Sequence, residues 1–196
     1  MKSFQSASLR EITTKLFLSD TFDCYRLQEA VFTCAVTYTI DGKINRDFFL
    51  NHSAGTVSAA AGGTGEKQAG TAVSSARPSG DAAGVPGNNE NTFVSWKDIR
   101  PICFSMIRGK RTPLSFRLVL LCPASEAPEY FGELAGAEDS GISSFVLVLQ
   151  YKDGKITATT AVSYSRFALD RGPERQWDSE AAEWFRREGL PFEAVE

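Results

Sequence analysis

The stretch Trp96–Cys122, WKDIRPICFSMIRGKRTPLSFRLVLLC, constrains the fold of this chain more than any other. It joins an apolar helical pattern to an apolar strand pattern through the basic turn Arg108-Gly109-Lys110-Arg111-Thr112-Pro113. Ser95 and Asp98 form a helix-opening signature, and Trp96, Ile99, Cys103, Met106 and Ile107 recur at helical spacing. Pro101 has no amide to donate, so it either kinks this helix or starts its main body after a short first turn. Gly109 is the expected left-handed residue past the helix end, with Arg108, Lys110 and Arg111 at the negative pole of the helix dipole. From Leu114 to Cys122 the chain reads as a strand. Its second half, from Leu118 on, is apolar on both faces and belongs near a sheet centre. Neither element can stand alone in water, so the rest of the chain must cover them.

The flanking sequence supplies that cover. Ser8 and Glu11 match a capping box, and Leu9, Ile12, Leu16 and Phe17 mark an amphipathic helix over 8–19. From Val31 the period switches to two, with Phe32, Cys34, Val36, Tyr38 and Ile40 on one side and threonines on the other. Asp41-Gly42 then predicts a hairpin. A three-residue loop with Gly42 in a bulge would pair Tyr38 with Ile44 and Cys34 with Phe48, which shares burial better than a two-residue loop. A second hairpin is expected at Asp153-Gly154. There a two-residue type I′ turn puts Phe145, Leu147, Leu149 and Tyr151 on one face with Ile156, Ala158, Thr160 and Val162. A helical turn is expected around Tyr130–Leu134. A C-terminal helix follows Pro173, carries the stripe Trp177, Ala181, Trp184 and Phe185, and stops before Gly189 and Pro191.

Residues 51–92 are of different composition: Ala, Gly, Ser and Thr dominate, and there is no aromatic residue. Such a segment buries too little apolar surface to offset its ordering entropy, which predicts a disordered loop inserted in one domain spanning 1–196. The element order without βαβ regularity predicts an α+β fold, a mainly antiparallel sheet of about five strands packed by N-terminal, central and C-terminal helices.

Several blocks of the sequence resemble one family. Phe22-Asp23, Leu27, Glu29-Ala30 and Ile40-Asp41-Gly42 match its N-terminal part. Trp96, Arg100-Pro101, Gly109-Lys110 and Thr112-Pro113 match its central block, and Leu169-Asp170 and Trp177-Asp178 its C-terminal block. The resemblance is to a domain-of-unknown-function family of Gram-positive anaerobic bacteria, spans nearly the whole chain except 51–92, and implies no activity, ligand or catalytic residue.

Composition limits the function classes. Lys and Arg number 21 against 24 Asp and Glu, a net charge of -3, so bulk charge selects no polyanion. Cys24, Cys34, Cys103 and Cys122 form no CxxC pair, and all but Cys24 lie in apolar runs, as buried reduced thiols of a cytoplasmic protein do. The only histidine is His52, within the loop, so no metal-ligand spacing and no nucleophile–base pair is visible. No run approaches a membrane span, and no cofactor motif is present: Gly109-Lys110 fails as a phosphate loop, with Phe104 and Arg111 at positions that need Gly and Ser/Thr. The candidate site is the basic turn with its neighbour, namely Arg108, Lys110, Arg111 and Arg117, able to hold a phosphate or a nucleic-acid backbone. Against this, a helix C-terminus is the wrong pole for an anion, and the same cations complement a dipole equally well. The expectation is therefore a non-catalytic binding or interaction module with a protein partner and no cofactor. The alternative is an anion or nucleic-acid binder through 108–117. The third reading is an enzyme using Asp23, Glu29, Asp170 and Asp178.

Overall fold

A computed structural model describes residues 1–48, 92–109, 111–132, 134, 141–166 and 171–195. The chain divides into one unit formed by Met1–Ile44 with Glu90–Glu196 and a second, Asn45–Asn89. The predicted loop 51–92 lies outside the described residues except Thr92.

The elements of the first unit run β1 Ser3–Ser6, α1 Leu9–Leu18, β2 Arg26–Thr33, β3 Thr37–Asp41, α2 Trp96–Ile107, β4 Ser115–Pro123, α3 Ala127–Phe131, β5 Ile142–Lys152, β6 Lys155–Tyr164, α4 Gly172–Arg187 and β7 Glu193–Ala194. The strands form one sheet in the order β3-β2-β4-β5-β6-β1-β7, with every pairing antiparallel. The fold is α+β. Among the described residues the sheet has seven strands rather than about five, because short terminal segments add at one edge. Four-residue β1 pairs with β6, and two-residue β7 pairs with β1. Segments that short carry no legible alternation; only the docking of β1 on β6 and of β7 on β1 makes them strands.

The hairpin expected at Asp41-Gly42 is absent. The chain turns earlier, at Cys34-Ala35-Val36, so Thr37 pairs with Thr33 and Tyr38 with Phe32. Residues 46–48 are helical, not a returning strand. Gly42 serves a different purpose. A Cβ there would stand 1.8 Å from the Leu27 carbonyl oxygen, so only glycine lets the two backbones approach. Opposite it, β2 skips a residue against β4 between Leu27 and Glu29. This bulge carries core-facing Leu27 into register with Ala30 and Phe32, which also face the core.

The second hairpin forms as predicted. Lys152 pairs with Lys155, and Asp153 and Gly154 both have positive φ, 52° and 79°, as a type I′ turn requires. Leu147, Leu149, Tyr151, Ile156 and Ala158 are buried on one face.

The helices cover that face. Phe17 of α1 meets Phe32 and Phe116 at ring-centroid distances of 6.4 Å each, and Trp177 of α4 meets Phe145 at 5.3 Å. Trp96 is buried and its Nε1 donates to the Leu16 carbonyl at 3.0 Å, locking α2 to α1. Trp177, Ala181, Trp184 and Phe185 are buried as the stripe predicts.

Two end signals read differently in three dimensions. Neither Ser8 nor Ser95 makes a side-chain cap; Ser95 is instead engaged in a bridge with Arg26. Pro101 sits exposed inside a continuous α2, and Lys97, whose carbonyl its missing amide leaves without the usual helical partner, is exposed as well. Gly109 is not left-handed: α2 ends at Arg108, which is already extended at φ -68°, ψ 113°.

Candidate functional site

The basic turn borders an exposed corner of the sheet. Met106, in the last turn of α2, lies against the β2–β3 turn, with its carbonyl 4.0 Å from Cys34 Sγ. At the other end of the basic segment the Leu114 amide donates to the Thr33 carbonyl at 2.8 Å. Arg108 and Arg111, between these anchors, are exposed and among the described residues make no ion pair. Lys110 lies outside the described residues. Arg117 points elsewhere: it projects from β4 and pairs with Glu29 on β2 at 2.5 Å, a surface pair that neutralises it. The structure therefore keeps Arg108 and Arg111 at the corner and takes Arg117 out of the set.

The same corner exposes apolar surface. Leu114 is 70% exposed, Val36 56% and Tyr38 39%. Alternation from Phe32 to Ile40 reads as one buried face, yet Val36 and Tyr38 are exposed, because among the described residues β3 is an edge strand with only β2 beside it. Single exposed hydrophobics are ordinary, but three at one sheet corner beside free cations form a patch.

The main chain of β3 adds a further resource. Because Thr33 accepts from Leu114, its backbone groups aim at β4, and its partner Thr37 belongs to a non-hydrogen-bonded pair. By strict alternation Thr37, Thr39 and Asp41 aim their N–H and C=O groups away from the sheet. This edge carries no lysine, proline or bulge of the kind that protects natural edge strands.

A second feature is an open polar cleft of about 570 Å³ lined by Asp20, Asp23, Lys97, Glu129, Tyr130 and Arg187, with Cys24 and Trp184 in its wall. Its chemistry is largely committed. Asp23 Oδ1 accepts from Arg100 at 2.7 Å, and Arg187 donates to the Tyr130 carbonyl. Burial, with Cys122 nearby, pushes the Cys24 thiol well above its usual value, so it is a poor nucleophile. The Tyr25 ring packs against Phe22, Phe131 and Trp184, and its buried hydroxyl has no hydrogen-bond partner among the described residues.

Of the carboxylates singled out in the sequence, only Asp23 lines this cleft. Glu29 serves Arg117, and Asp178 binds Thr160 Oγ1 and the terminal amine of Met1, the latter at 3.0 Å. Asp170 lies outside the described residues. Among the described residues no group of three His, Cys, Asp or Glu side chains is arranged to hold a metal ion, and no helix is long and apolar enough to cross a membrane.

The model of a family of unknown function (DUF5721) matches residues 15–61 and 81–193. The chain belongs to this family. The match reaches into the Ala/Gly-rich segment from both sides, so the internal stretch it leaves out is 62–80 rather than all of 51–92. No curated protein and no solved structure matches the chain.

Proposed function

We propose that this DUF5721 protein is a non-catalytic interaction module that binds a protein partner at the β3 corner. The observation that carries the reading is the joint exposure of Val36, Tyr38 and Leu114 at one corner of the sheet, beside an edge that no further described strand covers. Burying such side chains against a partner is worth roughly 1.5–3 kcal/mol each before the cost of association. The chemistry of the cleft agrees with this reading, since its thiol is held protonated and Asp23 is paired. The same reading puts the protein in the cytoplasm, where free buried thiols stay reduced, and, following the resemblance, in Gram-positive anaerobic bacteria.

The test compares wild type with a Val36→Asp, Leu114→Asp double variant immobilised against extract of the source cells. A retained protein is then purified and titrated by calorimetry. A protein that binds wild type and loses at least about tenfold in affinity to the variant supports the reading. The nucleic-acid alternative is measured in parallel by fluorescence anisotropy with a generic oligonucleotide at low salt. Submicromolar, salt-dependent binding lost in Arg108→Glu, Arg111→Glu would replace the protein-partner reading.

A further inference from the structure

Resting on that reading of the corner, we infer what kind of segment docks there: an extended peptide that adds to β3 as an eighth, antiparallel strand and carries its acidic residues at the end beside the β2–β3 turn.

Three observations converge. The outward N–H and C=O groups of Thr37, Thr39 and Asp41 present a ready hydrogen-bonding ladder, and strand addition is the mode that uses one. Tyr38 projects from the helix-covered side of the sheet edge, because its partner Phe32 faces the core, and so offers contact to the side chain opposite it on that face of an added strand. Charge fixes the direction. The segment that carries Arg108 and Arg111 is anchored at both ends beside the β2–β3 turn, whereas Asp41 closes the other end of β3. A strand with acids at its turn end meets cations there, whereas acids at its other end would meet Asp41 and exposed Lys43 together, with no net attraction. β3 runs away from the turn, so an antiparallel partner runs toward it and its acidic end is C-terminal. The rest of the sheet is antiparallel, the geometry slightly more stable per residue.

The probe is a fluorescein-labelled peptide alternating Val and Thr and ending in two glutamates, compared with a twin ending in two lysines, each titrated into the full chain. The glutamate peptide is expected to bind at least about tenfold tighter, with the preference lost in Arg108→Glu, Arg111→Glu. Thr39→Pro removes an amide that the sheet does not use and sets a proline ring where the new strand must lie. It is expected to weaken binding at least about tenfold while leaving the thermal melt unchanged. Should that variant misfold, amide hydrogen exchange in wild type reads the same contact: Thr37 and Thr39 amides become protected when the glutamate peptide binds. Binding undiminished by Thr39→Pro, or unprotected Thr37 and Thr39 amides, overturns strand addition. The corner reading still stands in that case if Val36→Asp, Leu114→Asp abolishes partner binding. No binding of either peptide up to about 1 mM also overturns strand addition.

Discussion

Gly42→Ala is the sharpest test of how β2 and β3 are held together. The added methyl would begin 1.8 Å from the Leu27 carbonyl oxygen and 3.3 Å from that of Gln28, and both neighbours are backbone. Ordinary contact starts at 3.4 Å, so the chains must part by about 1.6 Å (3.4 minus 1.8). That opening breaks the bonds Gly42 N to Gln28 O (3.0 Å), Val94 N to Gly42 O (2.9 Å) and Leu27 N to Val94 O (2.9 Å). At about 1 kcal/mol each, plus partial exposure of Leu27, the loss comes to about 3–5 kcal/mol. Equilibrium urea unfolding reads it as a midpoint lowered by roughly 1–2 M. Gly109→Ala is the control, since a Cβ there meets no atom within 4 Å and the backbone is not left-handed. It is expected to change stability by no more than about 0.5 kcal/mol, or to raise it slightly. A Gly42→Ala midpoint indistinguishable from wild type would refute the close approach and the bulge register that depends on it.

Tyr25→Phe removes a buried hydroxyl without a partner among the described residues, so it is expected to stabilise the protein by about 1 kcal/mol in the same assay; destabilisation would show that the hydroxyl is bonded. Burial pushes the Cys103 and Cys122 thiols from 9.0 up to about 12. Because the unfolded chain releases these protons first, stability should hold below pH 9 and fall as pH rises from there toward 12. A Cys103→Ala, Cys122→Ala variant should show a shallower alkaline decline, and an unchanged slope would count against burial of the thiols.

Local sequence by itself determined much of this protein. Ile12, Leu16 and Phe17 specify α1, and the stripe from Trp177 to Phe185 specifies α4, because a 3.6-residue period of large apolar side chains has one good use. Asp153-Gly154 specifies its hairpin because a type I′ turn needs two positive φ values and this dipeptide tolerates them. Tertiary structure decided the rest. Apolar alternation through Val36 and Tyr38 looks the same whether the strand lies inside a sheet or at its edge, so exposure there depended on which strand lies alongside. Asp41-Gly42 carries a turn signature, yet Gly42 is used for backbone approach to Leu27, a partner distant in sequence. Arg108, Arg111 and Arg117 sit within ten residues of one another, but the pairing of β4 with β2 gives Arg117 to Glu29 and leaves the other two at the corner. Periodicity and turn chemistry are local and can be read along the chain; edges, bulges and charge partners are set by contacts between residues far apart in it.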